Sequence, residues 1–96
     1  MKVHILDPAK DDLAEGFYFY ESRESDLGHY FLDVVYAEID RLATTAGVHS
    51  RHGDLFRMLS ETFPFSIYYR VEGSDVFVEA VIDQRRDPEW ITERLN

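Results

Sequence analysis

Two runs with alternating apolar or aromatic residues constrain the fold more than any other feature of this chain. In the run 65–71 (FSIYYRV), every second residue from Phe65 is apolar or aromatic, and the run 76–83 (VFVEAVID) has the same period from Val76. A period of two is typical of a strand with one buried face, and the intervening residues 72–75 (EGSD) suit a four-residue hairpin loop. Pairing Val71 with Val76 sets 69 opposite 78, 67 opposite 80 and 65 opposite 82, so both apolar sets lie on one side of a sheet.

The first half of the chain carries two stripes of apolar residues at helical spacing. The first stripe predicts a helix from about Pro8 to Arg23, with Asp7 as N-cap and Pro8 in the first helical position. The second stripe predicts a helix that ends at Gly47, a residue typical of helix C-termini. The stripes consist of Ala9, Leu13, Phe17 and Tyr20, and of Phe31, Val35, Ile39, Leu42 and Ala46. The short link at residues 26–28 makes the two helices an antiparallel hairpin.

The remaining segments complete an α+β domain that spans residues 1–96. Lys2–Leu6 and Leu55–Ser60 are predicted strands, the polar residues 48–54 (VHSRHGD) a loop, and Glu89–Leu95 a final helical turn. The expected order is an N-terminal strand, a two-helix hairpin and a three-stranded antiparallel meander. Strands in sequence beside segregated helices predict one sheet with the helices on one face.

Composition narrows the function classes. The chain has no cysteine and a formal net charge of −9, which argues against a broad nucleic-acid surface because such surfaces depend on lysine and arginine. It contains no run of the ~20 apolar residues that a membrane span needs, so we expect a cytoplasmic protein without a membrane partner. His49 and His52 have metal-ligand character but lack a third ligand nearby, and we predict neither a metal nor another cofactor.

The predicted sheet has a second face, which carries Ser66, Tyr68, Arg70, Phe77, Glu79, Val81 and Asp83. Arg57 or Met58 joins it from the neighbouring strand. The predicted register makes Arg70 and Glu79 diagonal neighbours within salt-bridge reach. This face is interpreted either as a working surface or as a half-solvated sheet with an ordinary ion pair.

Three segments, FPFSIYYRVEG (63–73), VFVEAVID (76–83) and QRRDPEWI (84–91), resemble the RelE/ParE superfamily of toxin–antitoxin toxins. Phe19-Tyr20-Glu21 and Leu27-Gly28 with Phe31 resemble the same superfamily more loosely. The resemblance implies a plasmid-stabilisation type of toxin that a cognate antitoxin neutralises. It also implies one of two targets: DNA gyrase for ParE-like members, or messenger RNA on the ribosome for RelE-like members, which cut it without a metal.

The residues do not make a complete ribonuclease site. Arg85, Arg86 and Arg70 are the candidate catalytic cations if the chain is a ribonuclease, because cations stabilise the charge that develops on the phosphate. However, Ser66 lies about where ribonuclease members often place arginine, Glu79 would repel phosphate, and lysine is absent after Lys10. The long helical hairpin fits the ParE-like branch better, so gyrase-directed growth inhibition is the first functional hypothesis. A ribonuclease and an inactive antitoxin-binding remnant are the alternatives.

The candidate residues for binding the antitoxin or the target are Arg57, Tyr68, Glu79, Trp90, Tyr18 and Phe19. Tyr18 and Phe19 lie partly off the buried stripe of the first helix, and clustered exposed aromatic residues mark interfaces. They are therefore candidate contacts for an antitoxin or for a second copy in a homodimer.

Overall fold

A computed structural model describes all residues from 1 to 96 and has one mixed sheet with helices on both of its faces. The elements in chain order are β1 (Lys2–Ile5), α1 (Asp7–Glu21), α2 (Leu27–Asp40), α3 (Leu42–Thr45), β2 (Ser50–His52), β3 (Leu55–Leu59), β4 (Phe65–Glu72), β5 (Asp75–Asp83) and α4 (Pro88–Leu95). The strand order across the sheet is β1-β5-β4-β3-β2, with β1 parallel to β5 and the other pairs antiparallel. The predicted α+β class is therefore confirmed. None of the helices combines the length and apolarity that crossing a bilayer requires.

The helical hairpin α1–α2 packs on one face of the sheet, here called the hairpin face. The buried cluster between them contains Ala9, Leu13, Phe31, Val35, Ile39, Leu42, Met58, Phe65, Ile67, Tyr69, Val76, Val78 and Val81. The two helices approach closely at Gly28, where an added Cβ would lie 2.5 Å from the Phe17 carbonyl oxygen. Glycine is thus needed there by the backbone of the neighbouring helix.

The helix ends differ from the predicted ones. α1 begins at Asp7 and its N-cap is Leu6, so Asp7 is not the cap that its residue type suggested. The second predicted helix is interrupted at Arg41: α2 ends at Asp40, and α3 adds one turn. Gly47 follows α3 with φ +97°, the left-handed conformation expected of a glycine after a helix.

The predicted loop at residues 48–54 is wrong, because Ser50–His52 forms the edge strand β2. It pairs with the start of β3, with His52 opposite Leu55, and Gly53 takes φ +62° in the turn between them. Polar residues tolerate such an edge position because one side of the strand remains in water.

The register between β4 and β5 is as predicted only at its turn end. Val71 pairs with Val76, Arg70 with Phe77 and Tyr69 with Val78, but a β-bulge between Tyr68 and Tyr69 then shifts the pairing by one residue. Beyond the bulge, Tyr68 faces Ala80 instead of Glu79, and Ile67 faces Val81 instead of Ala80. A bulge opposes two residues on one strand to one on the other, so the side chains beyond it change faces.

The bulge explains a second buried cluster on the opposite face of the sheet. Tyr68, Ala80 and Ile82 are buried there, and Leu55, Ile91 and Leu95 pack against them. Ile91 and Leu95 belong to α4, which is a two-turn helix instead of the single predicted turn. The hairpin covers one face as predicted, whereas α4 covers part of the other.

Candidate functional site

A groove lies between α1 and the segment that follows β5, and it brings together four of the predicted site residues. Asp87 caps α4 by accepting a hydrogen bond from the Glu89 N–H at 2.9 Å, and Pro88 fits the first turn because it has no N–H to satisfy. This geometry turns α4 back towards α1. The groove is lined by Asp12, Glu15, Gly16, Phe19, Phe65, Val81, Ile82, Asp83, Arg85, Arg86 and Trp90.

Both arginines of the groove are paired with carboxylates. Arg85 donates from Nε to Asp83 Oδ1 at 3.0 Å and from Nη2 to Asp83 Oδ2 at 2.7 Å. This two-pronged hydrogen bonding from Arg85 lowers the pKa of Asp83 below its usual value and raises the pKa of Arg85. Arg86 donates to Glu15 at 3.1 Å and lies 4.1 Å from the centre of the Trp90 ring. Neither guanidinium is an unpaired phosphate ligand.

Asp12 joins three elements at the edge of the groove. Its Oδ2 accepts from the Val81 N–H at 2.9 Å and from Arg94 Nη2 at 2.7 Å. β1 pairs with β5 only as far as Val78. The Asp12 side chain therefore satisfies the Val81 N–H, which points to the side of β5 where no strand continues. Burial raises the pKa of Asp12, against the lowering effects of the Val81 and Arg94 hydrogen bonds.

Arg70 is on the sheet face opposite the hairpin, away from the groove. It donates from Nε to Glu79 Oε2 at 2.7 Å, as the diagonal pairing predicted, and it also contacts Glu72. The hydrogen bond to Glu79 raises the pKa of Arg70. Its guanidinium carbon lies 4.3 Å from the centre of the Phe77 ring. Arg70 and Glu79 thus neutralise each other, and Arg70 does not meet Arg85 and Arg86 in one site.

Tyr68 and Arg57 share that face but differ in accessibility. Tyr68 is only 2% exposed, because Leu55 and α4 cover it, so this candidate binding residue is not on the accessible surface. Arg57 pairs in register with Tyr68, is exposed and has no carboxylate partner. The His52 ring lies 5.4 Å from the Tyr68 ring, centre to centre. Val81 and Asp83, which were predicted on this face, line the groove instead.

Tyr18 and Phe19, neighbours on α1, have different surroundings. Phe19 is 42% exposed at the edge of the groove, and the Arg23 guanidinium carbon lies 4.7 Å from its ring centre. Tyr18 is 70% exposed and does not line the groove. Of these two candidate contacts, only Phe19 lines the groove.

The two histidines at 49 and 52 face opposite sides of the sheet. The imidazole Nδ1 of His49 lies 2.5 Å from the hydroxyl oxygen of Tyr69, a residue of the hairpin-side core, whereas His52 packs against Tyr68. The pair therefore cannot share a metal ion. Glu21, Asp26 and His29 do lie close together, but the Glu21 carboxylate accepts from the Asp26 N–H at 3.0 Å and the Gly28 N–H at 2.9 Å.

The sequence reasoning missed Asp12, Glu15 and Asp83 as members of the site. Asp83 was assigned to the wrong face because the alternation of β5 contains no sign of the bulge. The spacing of Asp12 and Glu15, three residues apart in one helix, was the available signal that they share a face.

Comparison with known proteins gives the fold a counterpart. No family model and no curated protein matches the sequence. Among solved structures, a chain described as "Chromosomal ParDE TA system from P. aeruginosa" is similar with a TM-score of 0.73 and 19% sequence identity, and the match covers 86% of this chain and 95% of that one. The predicted RelE/ParE-like fold is confirmed.

Proposed function

We propose that this protein is the toxin component of a type II toxin–antitoxin module, acts in the ParE manner on DNA gyrase, and is neutralised by a cognate antitoxin. The observation that carries the proposal is the likeness in fold, over most of both chains, to a chain of a ParDE toxin–antitoxin system. The segments 63–73 and 84–91, which resemble the RelE/ParE superfamily in sequence, form β4, the turn after it and the start of α4 in this fold.

The pairing of the arginines favours gyrase over RNA as the target. A ribonuclease without a metal needs cations aimed at the phosphate, placed before the reaction begins. In this chain Arg70, Arg85 and Arg86 each have a carboxylate within 3.1 Å, so phosphate would have to displace these anions. The net charge of −9 adds long-range repulsion of RNA.

Two assays test this proposal. Expression of the chain alone in a bacterial host should arrest growth, and co-expression of the reading frame next to its gene should restore growth. The purified chain should also inhibit supercoiling of relaxed plasmid by purified gyrase. Unimpaired supercoiling at a large molar excess of the chain would refute the gyrase target. Absence of growth arrest would instead support the inactive antitoxin-binding remnant.

A ribosome-dependent ribonuclease is the second candidate, and Arg57 is the observation in its favour. Arg57 is an unpaired cation that shares a sheet face with the part-exposed His52, so this face offers a cation beside an imidazole, a group that transfers protons. If the chain cleaves RNA on translating ribosomes, primer extension should show new mRNA ends that disappear in Arg57→Ala. Their disappearance only in Arg86→Ala would place the activity in the groove instead.

A further inference from the structure

The groove beside Phe19 has the shape of a socket for one large apolar side chain. Its floor contains the buried side chains of Phe65 and Val81, and its rim contains two part-exposed aromatic rings, Phe19 at 42% and Trp90 at 38% exposure. Aromatic residues beside arginine are the residue types that dominate the affinity of protein interfaces. An apolar side chain placed between the two rings would remove both from water.

The carboxylates of the groove differ in how firmly they are held. The side chains of Asp12 and Asp83 are only 14% and 24% exposed and each makes a 2.7 Å ion pair. Glu15 is 72% exposed, and its one partner is Arg86 at 3.1 Å. Because exposed ion pairs are worth little, Glu15 can exchange Arg86 for another cation. Arg86 would keep its position over the Trp90 ring.

The charge around the groove selects the kind of partner. Residues 7–23 and 83–94, which supply eight of its eleven lining residues, hold nine carboxylates against five lysines and arginines. An acidic segment would therefore be repelled from this side of the molecule, whereas a basic one would be attracted.

We propose that this groove docks a basic segment of a partner protein, which inserts one leucine or aromatic side chain between Phe19 and Trp90 and presents a lysine or arginine to Glu15. This inference rests on the proposed function in one respect only: the partner it describes would be the antitoxin. The socket itself is defined by the contacts within this chain.

Selection from a display library of random 12-residue peptides on the purified full chain tests the proposal. The enriched peptides should carry leucine, phenylalanine or tryptophan next to lysine or arginine. Synthetic versions without tryptophan should shift the fluorescence of Trp90, the single tryptophan of the chain. Phe19→Lys should weaken their binding at least tenfold, whereas Tyr36→Lys, at a 38% exposed aromatic residue of α2 outside the groove, should change it less than twofold.

Charge reversal supplies the second arm of the experiment. Glu15→Lys should change the residues selected beside the apolar anchor from lysine and arginine to aspartate and glutamate, and Asp33→Lys, at an exposed position of α2, should leave the selection unchanged. Peptides rich in acidic residues on the unaltered chain, equal binding to Phe19→Lys, or no enrichment at all would overturn the proposal.

The two proposals fail in different ways. If the chain binds such peptides in the groove but does not arrest growth, the socket is supported and the toxin function is refuted. Conversely, suppose that an antitoxin relieves the growth arrest and binds Phe19→Lys as tightly as the unaltered chain. This outcome would support the toxin function and refute the socket.

Discussion

Asp12 offers a quantitative test of how this fold is held together, because one of its carboxylate oxygens accepts hydrogen bonds from both β5, at the Val81 N–H, and α4, at Arg94. In Asp12→Asn the amide oxygen can still accept from the Val81 N–H, but Arg94 loses its anion. Breaking a fully buried ion pair costs about 3–5 kcal/mol. The Arg94 side chain is 26% exposed, so we expect a smaller loss, about 1.5 kcal/mol, from this change.

Asp12→Ala removes the second contact as well. Val81 is 2% exposed, so its N–H would have no partner and little water, and an unsatisfied buried donor costs about 1–3 kcal/mol. The total should reach about 3 kcal/mol. For a chain of this size about 1 kcal/mol corresponds to a Tm change of about 4–8 °C, so Asp12→Ala should melt far below Asp12→Asn.

Urea unfolding followed by far-UV circular dichroism measures these losses, with the exposed neighbour Asp11→Asn as the control. The control should change the free energy of unfolding by no more than about 0.5 kcal/mol. A double-mutant cycle with Arg94→Gln should give a coupling of at least about 0.5 kcal/mol. Equal stability of Asp12→Asn and Asp12→Ala would refute the role assigned to the Val81 hydrogen bond, and zero coupling would refute the role assigned to Arg94.

Two further changes test the core and its pH dependence. Burial lowers the pKa of His49 below its usual 6.5, and the Gly47 N–H donates to the Tyr69 hydroxyl, which leaves the phenolic proton for the neutral His49 ring. The His49 imidazole therefore binds a proton more tightly in the unfolded chain than in the folded one. Its contribution to the folding stability is complete above about pH 6.5 and is lost as the pH falls through the lowered pKa of the folded state. His49→Gln should flatten that part of a plot of the unfolding free energy against pH between 5 and 8, and an unchanged slope in this variant would contradict the assignment. Gly16→Ala would place a Cβ 2.6 Å from the Phe31 ring, and this overpacking should cost about 1–3 kcal/mol in thermal unfolding, so an unchanged Tm would show that the ring can move aside.

Much of the fold could be predicted because its strongest patterns are local. Val71 and Val76 flank a short turn, so the register next to the turn was correct. The apolar stripes of α1 and α2 likewise gave the hairpin. The element order and the segments around Arg85 and Arg86 then pointed to the right fold.

What could not be predicted depends on contacts that are distant in sequence. The Asp12 side chain accepts a hydrogen bond from the Val81 N–H 69 residues away, and no pattern within β5 reports this contact or the nearby bulge. The strand β2 is polar and was assigned to a loop, although Gly53-Asp54 is a turn sequence that could have indicated a hairpin. The carboxylate partners of Arg85 and Arg86 include Glu15 from another element, and no local pattern around the two arginines indicates that contact.

The parallel pairing of β1 with β5 has a consequence for how the chain folds. Lys2 lies opposite Asp75 and Ile5 opposite Val78, so β1 leaves the ribosome long before β5, its only partner strand. Closing so long a loop is an entropic cost that contacts formed early cannot offset. The hairpin α1–α2 can form beforehand, but its apolar stripe has no sheet to cover until β4 and β5 have emerged. We therefore expect a slow final docking step, and a nascent chain that is prone to associate with other apolar surfaces until β4 and β5 have been made.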